Sequence, residues 1–343
     1  MEVKKKFISE LKIGEKVDDI FIVTKARQGS SKNGPYWDLE FQDKTGRIPA
    51  KIWYPQSGQY DTINEESFVK VRGYVDSYRN NLQIIVQGLK VVVEEEIDIE
   101  DFIPTTKIPP EKLMNELEEL CFKNLKYRPW NKLIGMILKD KDIRQRFMNA
   151  PAAKSIHHAY RGGLLEHTLN VCKLCLNIAE LYPEIDREIL LVGAVLHDIG
   201  KIEEFEGKIS LDYTDKGQLI GHVVMSVLLI EPFLNKIKGL SNDLIMHLKH
   251  IILSHHGEYE FGSPKRPKTR EALIVHFADN IDAKLNMVGT LIDDMEDEQE
   301  NWSKYQRFLE RKIFRPVHTN EFIKGAKEKK RRSIEGCSLP LKE

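Results

Sequence analysis

At 343 residues with 41% hydrophobic content, the chain can bury a sizeable core and is long enough for two domains. A formal charge of −1 excludes a wholly basic nucleic-acid coat or an acidic tail protein, so any nucleic-acid contact must be local. The opening MEVKKKFISELKIGEK lacks the apolar run of a signal peptide, and no later segment approaches about 18 uninterrupted apolar residues, which predicts a soluble cytoplasmic protein with no membrane association.

From the N-terminus to about Val93 the pattern has period two. The stretches DDIFIVTKARQ, YWDLEFQD, RIPAKIWY, FVKVRGYVDSY and LQIIVQGLKVV carry β-branched and aromatic residues, separated by SSKNGP, KTG and RNN. Five strands in under about a hundred residues predict a small closed β-barrel similar to an OB-fold, a class whose faces and loops bind single-stranded oligonucleotides. In YWDLEF one parity, Trp37, Leu39 and Phe41, is expected to face the core, leaving Tyr36, Asp38 and Glu40 outward. Tyr36, Trp53 or Tyr54 are candidates for base stacking, with Arg27, Lys32, Lys51, Arg72 and Arg79 as cations for phosphates. The competing reading makes these aromatics core and the charges a solvated face.

An acidic run, EEEIDIED, and a proline-bearing stretch, FIPTTKIPP, mark a connector over residues 94–110. From Glu111 the periodicity becomes helical, through segments such as GLLEHTLNVCKLCLNIAELY, REILLVGAVLHDIGKIEEF, GQLIGHVVMSVLLIEPFLNKI and TREALIVHFADNIDAKLNMVGTLIDDME. The expected architecture is thus an OB-like barrel over residues 1–93, the connector, and an all-α domain over 111–323. A basic, flexible tail is expected over 324–343. Four cysteines do not form a disulfide framework at this length, and Cys172 and Cys175 lie in a helical pattern without a second pair, so they read as core thiols.

All eleven histidines follow residue 150. His167, His197, His222, His255 and His256 sit on otherwise apolar helical segments, as do Asp198 and Asp279. One such histidine is usually a satisfied core residue; several helices each bringing His or Asp to an apolar face are not cheaply buried without a shared partner. A metal supplies that partner, since imidazole and carboxylate suit manganese, iron or zinc. The adjacent His197 and Asp198 can both reach one centre, and a carboxylate can bridge two ions.

His167, the His197-Asp198 pair and Asp279 follow the order H…HD…D, and with HDIGK and the added histidines the helical region resembles the two-metal subgroup of HD-domain phosphohydrolases. Together with the barrel, residues 1 to about 320 resemble the YhaM family of bacterial 3′→5′ exoribonucleases. The resemblance implies hydrolysis of single-stranded RNA, with single-stranded DNA a further substrate, and two divalent ions, with Mn2+ favoured over Mg2+, Fe2+ or Co2+. It places His167, His197, Asp198 and Asp279 on the first ion, with Asp198 bridging to a second held by His222, His255 and His256. Either member of that double histidine could instead orient a ligand or meet substrate.

Two ions about 3.5–4 Å apart can bind a phosphate oxygen, lower the pKa of a water and stabilise the leaving oxygen, releasing a nucleoside 5′-monophosphate. Lys201, three residues after Asp198, can face the same cavity and supply charge alongside Asp198 in catalysis; the alternative is a surface lysine at a helix end. Arg161, Lys265, Arg266 and Lys268 are further candidates for phosphate, and His276 is expected to be core or supporting. A phosphodiesterase or nucleotidase acting on small or cyclic nucleotides, and a single-strand-binding accessory protein with a structural HD domain, remain as alternative functions.

Overall fold

The computed structural model describes residues 4–78, 81–103, 105–106, 108–153, 160–207, 211–293, 295 and 301–316. Arg79, His157, His158, His318, Cys337 and the basic tail lie outside the described residues. Packing divides the chain into two compact units, with the boundary after Met287. In the second, Trp302 bridges Phe314 and Gln306 bridges Arg311 in an antiparallel sense.

The first unit opens with strands β1 (Lys16–Ser31), β2 (Gly34–Asp43), β3 (Gly46–Ile52), β4 (Phe68–Tyr78) and β5 (Asn81–Val91). They close into a barrel in the order β1-β2-β3-β5-β4, antiparallel except for β3 with β5. The register places Trp37 opposite Ile52, Leu39 opposite Ala50 and Phe41 opposite Ile48, and all six side chains are buried. Closure removes the free edges that a small sheet would otherwise expose. As the strand parity predicts, Tyr36, Asp38 and Glu40 point away from that core.

The connector is docked through its apolar residues. Ile97 and Phe102 are buried with Ile20, Ile22, Phe68 and Val92, and the Phe102 ring meets Phe68 edge-on at 5.1 Å. Its acidic side chains stay near the surface, where Asp101 pairs with Lys44 at 2.6 Å and Glu100 with Arg161.

Nine helices follow among the described residues: α1 (Pro110–Asn124), α2 (Arg128–Leu138), α3 (Lys141–Asn149), α4 (Gly163–Leu181), α5 (Arg187–Leu196), α6 (Asp215–Leu219), α7 (His222–Leu234), α8 (Asn242–Ser254) and α9 (Arg270–Asp293). A short hairpin of β6 (Phe205–Glu206) and β7 (Asp212–Tyr213) precedes α6. The eight residues from Ile189 to Leu196 are all buried, so α5 is the central rod of the domain. Full burial of each Val, Leu or Ile side chain contributes about 1.5–3 kcal/mol. Cys121, Cys172 and Cys175 are free and buried in this core.

Two segments that read as single helices are divided, and both divisions serve the polar cluster. The helix entering HDIGK stops at Leu196, and a 3₁₀ turn runs from Ile199 to Glu203. Ser226 on α7 fixes this turn: its Oγ accepts from the Gly200 N–H at 2.8 Å and donates to the His197 carbonyl at 3.2 Å. Gly200 permits the approach, since a Cβ there would lie 2.4 Å from the His222 carbonyl oxygen. The second division falls at Gly221, whose φ of 76° is readily adopted only by glycine, so His222 becomes the first residue of α7.

Candidate metal centre

Five helices and the residues just beyond their ends deliver the cluster. His167 comes from the first turns of α4, His197 and Asp198 from the end of α5, His222 from the start of α7, His255 and His256 from just beyond α8, and Asp279 from the middle of α9. Their ligand atoms fall into two groups, His167 with His197 and Asp279, and Asp198 with His222, His255 and His256, each within 4.8 Å. Asp198 spans both. Its Oδ2 lies 3.4 Å from His197 Nε2 and 3.6 Å from His167 Nε2, while its Oδ1 lies 3.4 Å from His222 Nε2 and 3.3 Å from His255 Nε2.

All five histidines turn the same nitrogen inward. Nδ1 of His197, His255 and His256 faces the carbonyls of Ala194, Ile252 and Phe261 at 2.8, 2.7 and 2.9 Å. Nδ1 of His167 faces Asp282, and that of His222 faces Glu204, each at 2.7 Å. A carbonyl or carboxylate can only accept, so Nδ1 carries the proton and Nε2 presents a lone pair whenever the ring is neutral. The lone pairs crowd together: His222 Nε2 is 3.1 Å from His256 Nε2, and His197 Nε2 is 3.4 Å from His167 Nε2.

Burial pulls His222, His255 and His256 below the ordinary imidazole value, the last to about 4 with the help of neighbouring His255. These rings are neutral near pH 7. Burial would also lower His167, but Asp279 and Asp282 outweigh it and raise that ring to about 9. Burial opposes ionisation of Asp198, yet Lys201 and His197 hold its carboxyl well below the usual range. Asp198 Oδ1 and His255 Nε2 are nonetheless buried without a hydrogen-bond partner, while Oδ2 is met by the Lys201 ammonium at 2.6 Å. Leaving such groups unsatisfied costs about 1–3 kcal/mol each, and more for a charged one. Divalent cations fit this donor set: anionic carboxylates, inward-facing imidazole nitrogens, those of His222, His255 and His256 already neutral, and outer carboxylates that fix the rings.

Lys201 is buried on the 3₁₀ turn with its Nζ 2.6 Å from Asp198 Oδ2, an ion pair inside the site and not a surface cap. It borders an open cavity of about 390 Å³, together with Glu204, His222, His256, Phe261 and Asp279. The other candidate cations lie elsewhere. Arg161 pairs with Glu100 at 2.5 Å and Asn149 at 2.6 Å, tying the connector to the helical domain. Lys265, Arg266 and Lys268 are exposed and do not line the cavity; Arg266 pairs with Glu258. On the barrel, Tyr36 and Trp53 rings meet at 5.1 Å, and Lys51 Nζ lies 5.1 Å above Tyr36, while Trp53 is exposed. His276 is a support, its Nδ1 donating to the His255 carbonyl at 2.7 Å.

Sequence reasoning missed Glu204, Asp282, Phe261 and Lys284. Asp282 carries a usable signal, since it follows Asp279 by one helical turn on α9. Lys284 lines the cavity on the same helix. Glu204 hides in the charged run KIEEFE, where nothing marks it as inward.

A closed OB-type barrel ahead of a helical domain that gathers an H…HD…D cluster defines an HD-domain protein with an oligonucleotide-binding module. Family models agree: the HD domain matches residues 164–284, and the OB-fold nucleic acid binding domain matches residues 22–92. The chain is 35% identical over 283 residues to the 3′-5′ exoribonuclease YhaM of Bacillus subtilis, covering 82% of this chain and 89% of that protein. It is 34% identical over 290 residues to the 3′-5′ exoribonuclease YhaM of a Geobacillus species, covering 84% and 88%. The chain belongs to the YhaM family.

Proposed function

We propose that the protein is a metal-dependent hydrolase that removes nucleotides from the 3′ end of single-stranded RNA, with single-stranded DNA as a second substrate. The observation that carries the metal chemistry is Asp198, whose two oxygens face two separate groups of inward histidine nitrogens, Oδ1 without a hydrogen-bond partner and Oδ2 beside the Lys201 ammonium. In this reading His167, His197, Asp198 and Asp279 hold one ion, and Asp198, His222, His255 and His256 hold another. Mn2+ suits the mixed nitrogen and oxygen donors better than Mg2+, with Fe2+ or Co2+ as substitutes. When bound, such ions supply Lewis acidity to a phosphate and acidify a water.

The remaining residues serve substrate and geometry. Glu204 and Asp282 keep His222 and His167 in the tautomer that offers Nε2. Lys201 holds Asp198 ionised and presents positive charge at the cavity wall. Lys284, farther along that wall, meets the backbone of the entering strand. Residues 1–93 grip single-stranded nucleic acid through Tyr36, Trp53 and Lys51, and residues 111–323 carry out hydrolysis. Relatives named 3′-5′ exoribonuclease support the direction of attack. Among the described residues no helix is long and apolar enough to cross a membrane.

Incubating the protein with 5′-labelled single-stranded RNA and Mn2+ tests this reading. A ladder shortening from the 3′ end, with nucleoside 5′-monophosphates as products and no reaction in chelator, is expected. Turnover confined to cyclic dinucleotides would replace the proposal with a small-molecule phosphodiesterase. Binding of RNA without metal-stimulated cleavage would leave an accessory role.

A further inference from the structure

We infer that the ring of Phe261 is the platform on which the base of the 3′-terminal nucleotide stacks while its phosphodiester lies at the metal centre. The inference rests on the exoribonuclease reading and adds a subsite to it. Phe261 lines the same cavity as His222, His256 and Lys201, yet the residue is 64% exposed. A large apolar ring left open beside a cluster of metal-type ligands fits a flat ligand group close to a bound phosphate.

Backbone geometry ties this ring to the centre. The Phe261 carbonyl accepts from His256 Nδ1 at 2.9 Å, so the residue that displays the ring also orients an inward histidine. The intervening loop is cross-linked by Glu258 N–H to the His256 carbonyl at 3.0 Å and Phe261 N–H to the Glu258 carbonyl at 3.1 Å. The other rings at the cavity, Phe205 and Tyr213, pack against each other at 5.1 Å on the β6-β7 hairpin. Across α9, Asn280 and Lys284 supply polar atoms suited to sugar and phosphate. An aromatic face accepts any base, which suits an enzyme that must advance through all four.

The substitution Phe261→Ala removes the ring and keeps the carbonyl that holds His256, so stacking separates from metal binding. The test measures the first cleavage of 5′-labelled RNAs by full-length, Mn2+-loaded wild type, Phe261→Ala and Phe261→Trp. One RNA ends in an ordinary nucleotide and the other in an abasic one. Loss of one stacked base predicts a KM about 5- to 150-fold higher for Phe261→Ala on ordinary RNA, with metal content unchanged and Phe261→Trp restoring the wild-type value. Wild type should show the same loss on abasic RNA, and Phe261→Ala should lose nothing more there. Equal KM for wild type and Phe261→Ala, or losses that multiply on the abasic substrate, would overturn the subsite while leaving the exoribonuclease reading intact. Metal loss in Phe261→Ala would also overturn it, by showing action through His256. Failure of wild type to cleave either RNA would remove the exoribonuclease reading and the subsite with it.

Discussion

Asp198 Oδ1 lies 3.3 Å from His255 Nε2, and neither atom has a hydrogen-bond partner although both are fully buried. An anionic oxygen and an imidazole lone pair at that distance repel each other, so the arrangement is stable only with positive charge between or beside them. Replacing Asp198 with Ala should reduce bound divalent metal and abolish RNA hydrolysis, because one side chain serves both groups of ligands. Elemental analysis of the folded variant alongside a cleavage assay checks this, and wild-type hydrolysis by the metal-replete variant would refute the bridging role.

Glu204 accepts from both the ring Nδ1 and the backbone N–H of His222, at 2.7 and 3.0 Å. Removing an outer carboxylate of this kind weakens metal affinity about 10- to 100-fold. Glu204→Ala should therefore require correspondingly more Mn2+ for half-maximal activity, with the fold retained. An unchanged metal titration would show that the contact only caps α7.

Lys201 stands between Asp198 and the cavity. Its replacement by Met should slow single-turnover cleavage by about 10²-fold, the scale for loss of one electrostatic stabiliser. It should also lower the melting temperature of the metal-free protein, because the buried Asp198 charge loses its nearest cation. Unaltered cleavage with reduced stability would confine Lys201 to a structural role.

Proton linkage separates the two ligand groups. The His167 ring is raised to about 9 and must lose a proton before its Nε2 can bind metal, whereas His222, His255 and His256 are already neutral at pH 7. Metal affinity at the His167 group should therefore rise with pH up to about 9 and then level off. Calorimetry at pH 7 in buffers of different ionisation enthalpy should detect release of about one proton on loading. Without metal the signs are opposite for His167 and His256. The raised His167 contributes stability that is full below its unfolded value near 6.5 and fades as pH climbs through about 9, while the lowered His256 contributes stability above 6.5 that is lost as pH falls toward about 4. Loading with no proton release at pH 7 would show that His167 is neutral in the metal-free protein.

Tyr36 and Trp53 form the barrel's outward aromatic pair. Stacking contributes about 1–3 kcal/mol per base, so replacing both by Ala should raise KM for long RNA by at least about tenfold and leave cleavage of a dinucleotide unaffected. A matching loss on the dinucleotide would place the defect in folding or chemistry.

Much of this protein was legible from local patterns. Period-two stretches such as YWDLEF fix which side chains enter a barrel, because strand geometry alternates faces whatever the neighbours do. The H…HD…D order and the fully apolar approach to His197 marked a buried polar cluster, since apolar helices do not carry unpaired polar groups without cause. Tertiary structure decided the rest. Arg161 was spoken for by Glu100 and Asn149, and Lys265, Arg266 and Lys268 stayed outside the cavity, because a loop's place in the sequence does not determine where its side chains point. Glu204, Phe261 and Lys284 reached the site through a 3₁₀ turn, a loop tied to His256 and a face of α9, and each depends on contacts between distant segments. The packing of α7 against Gly200 ends α5 at the HD pair, giving one carboxylate two directions to face; no periodicity along the chain encodes that junction.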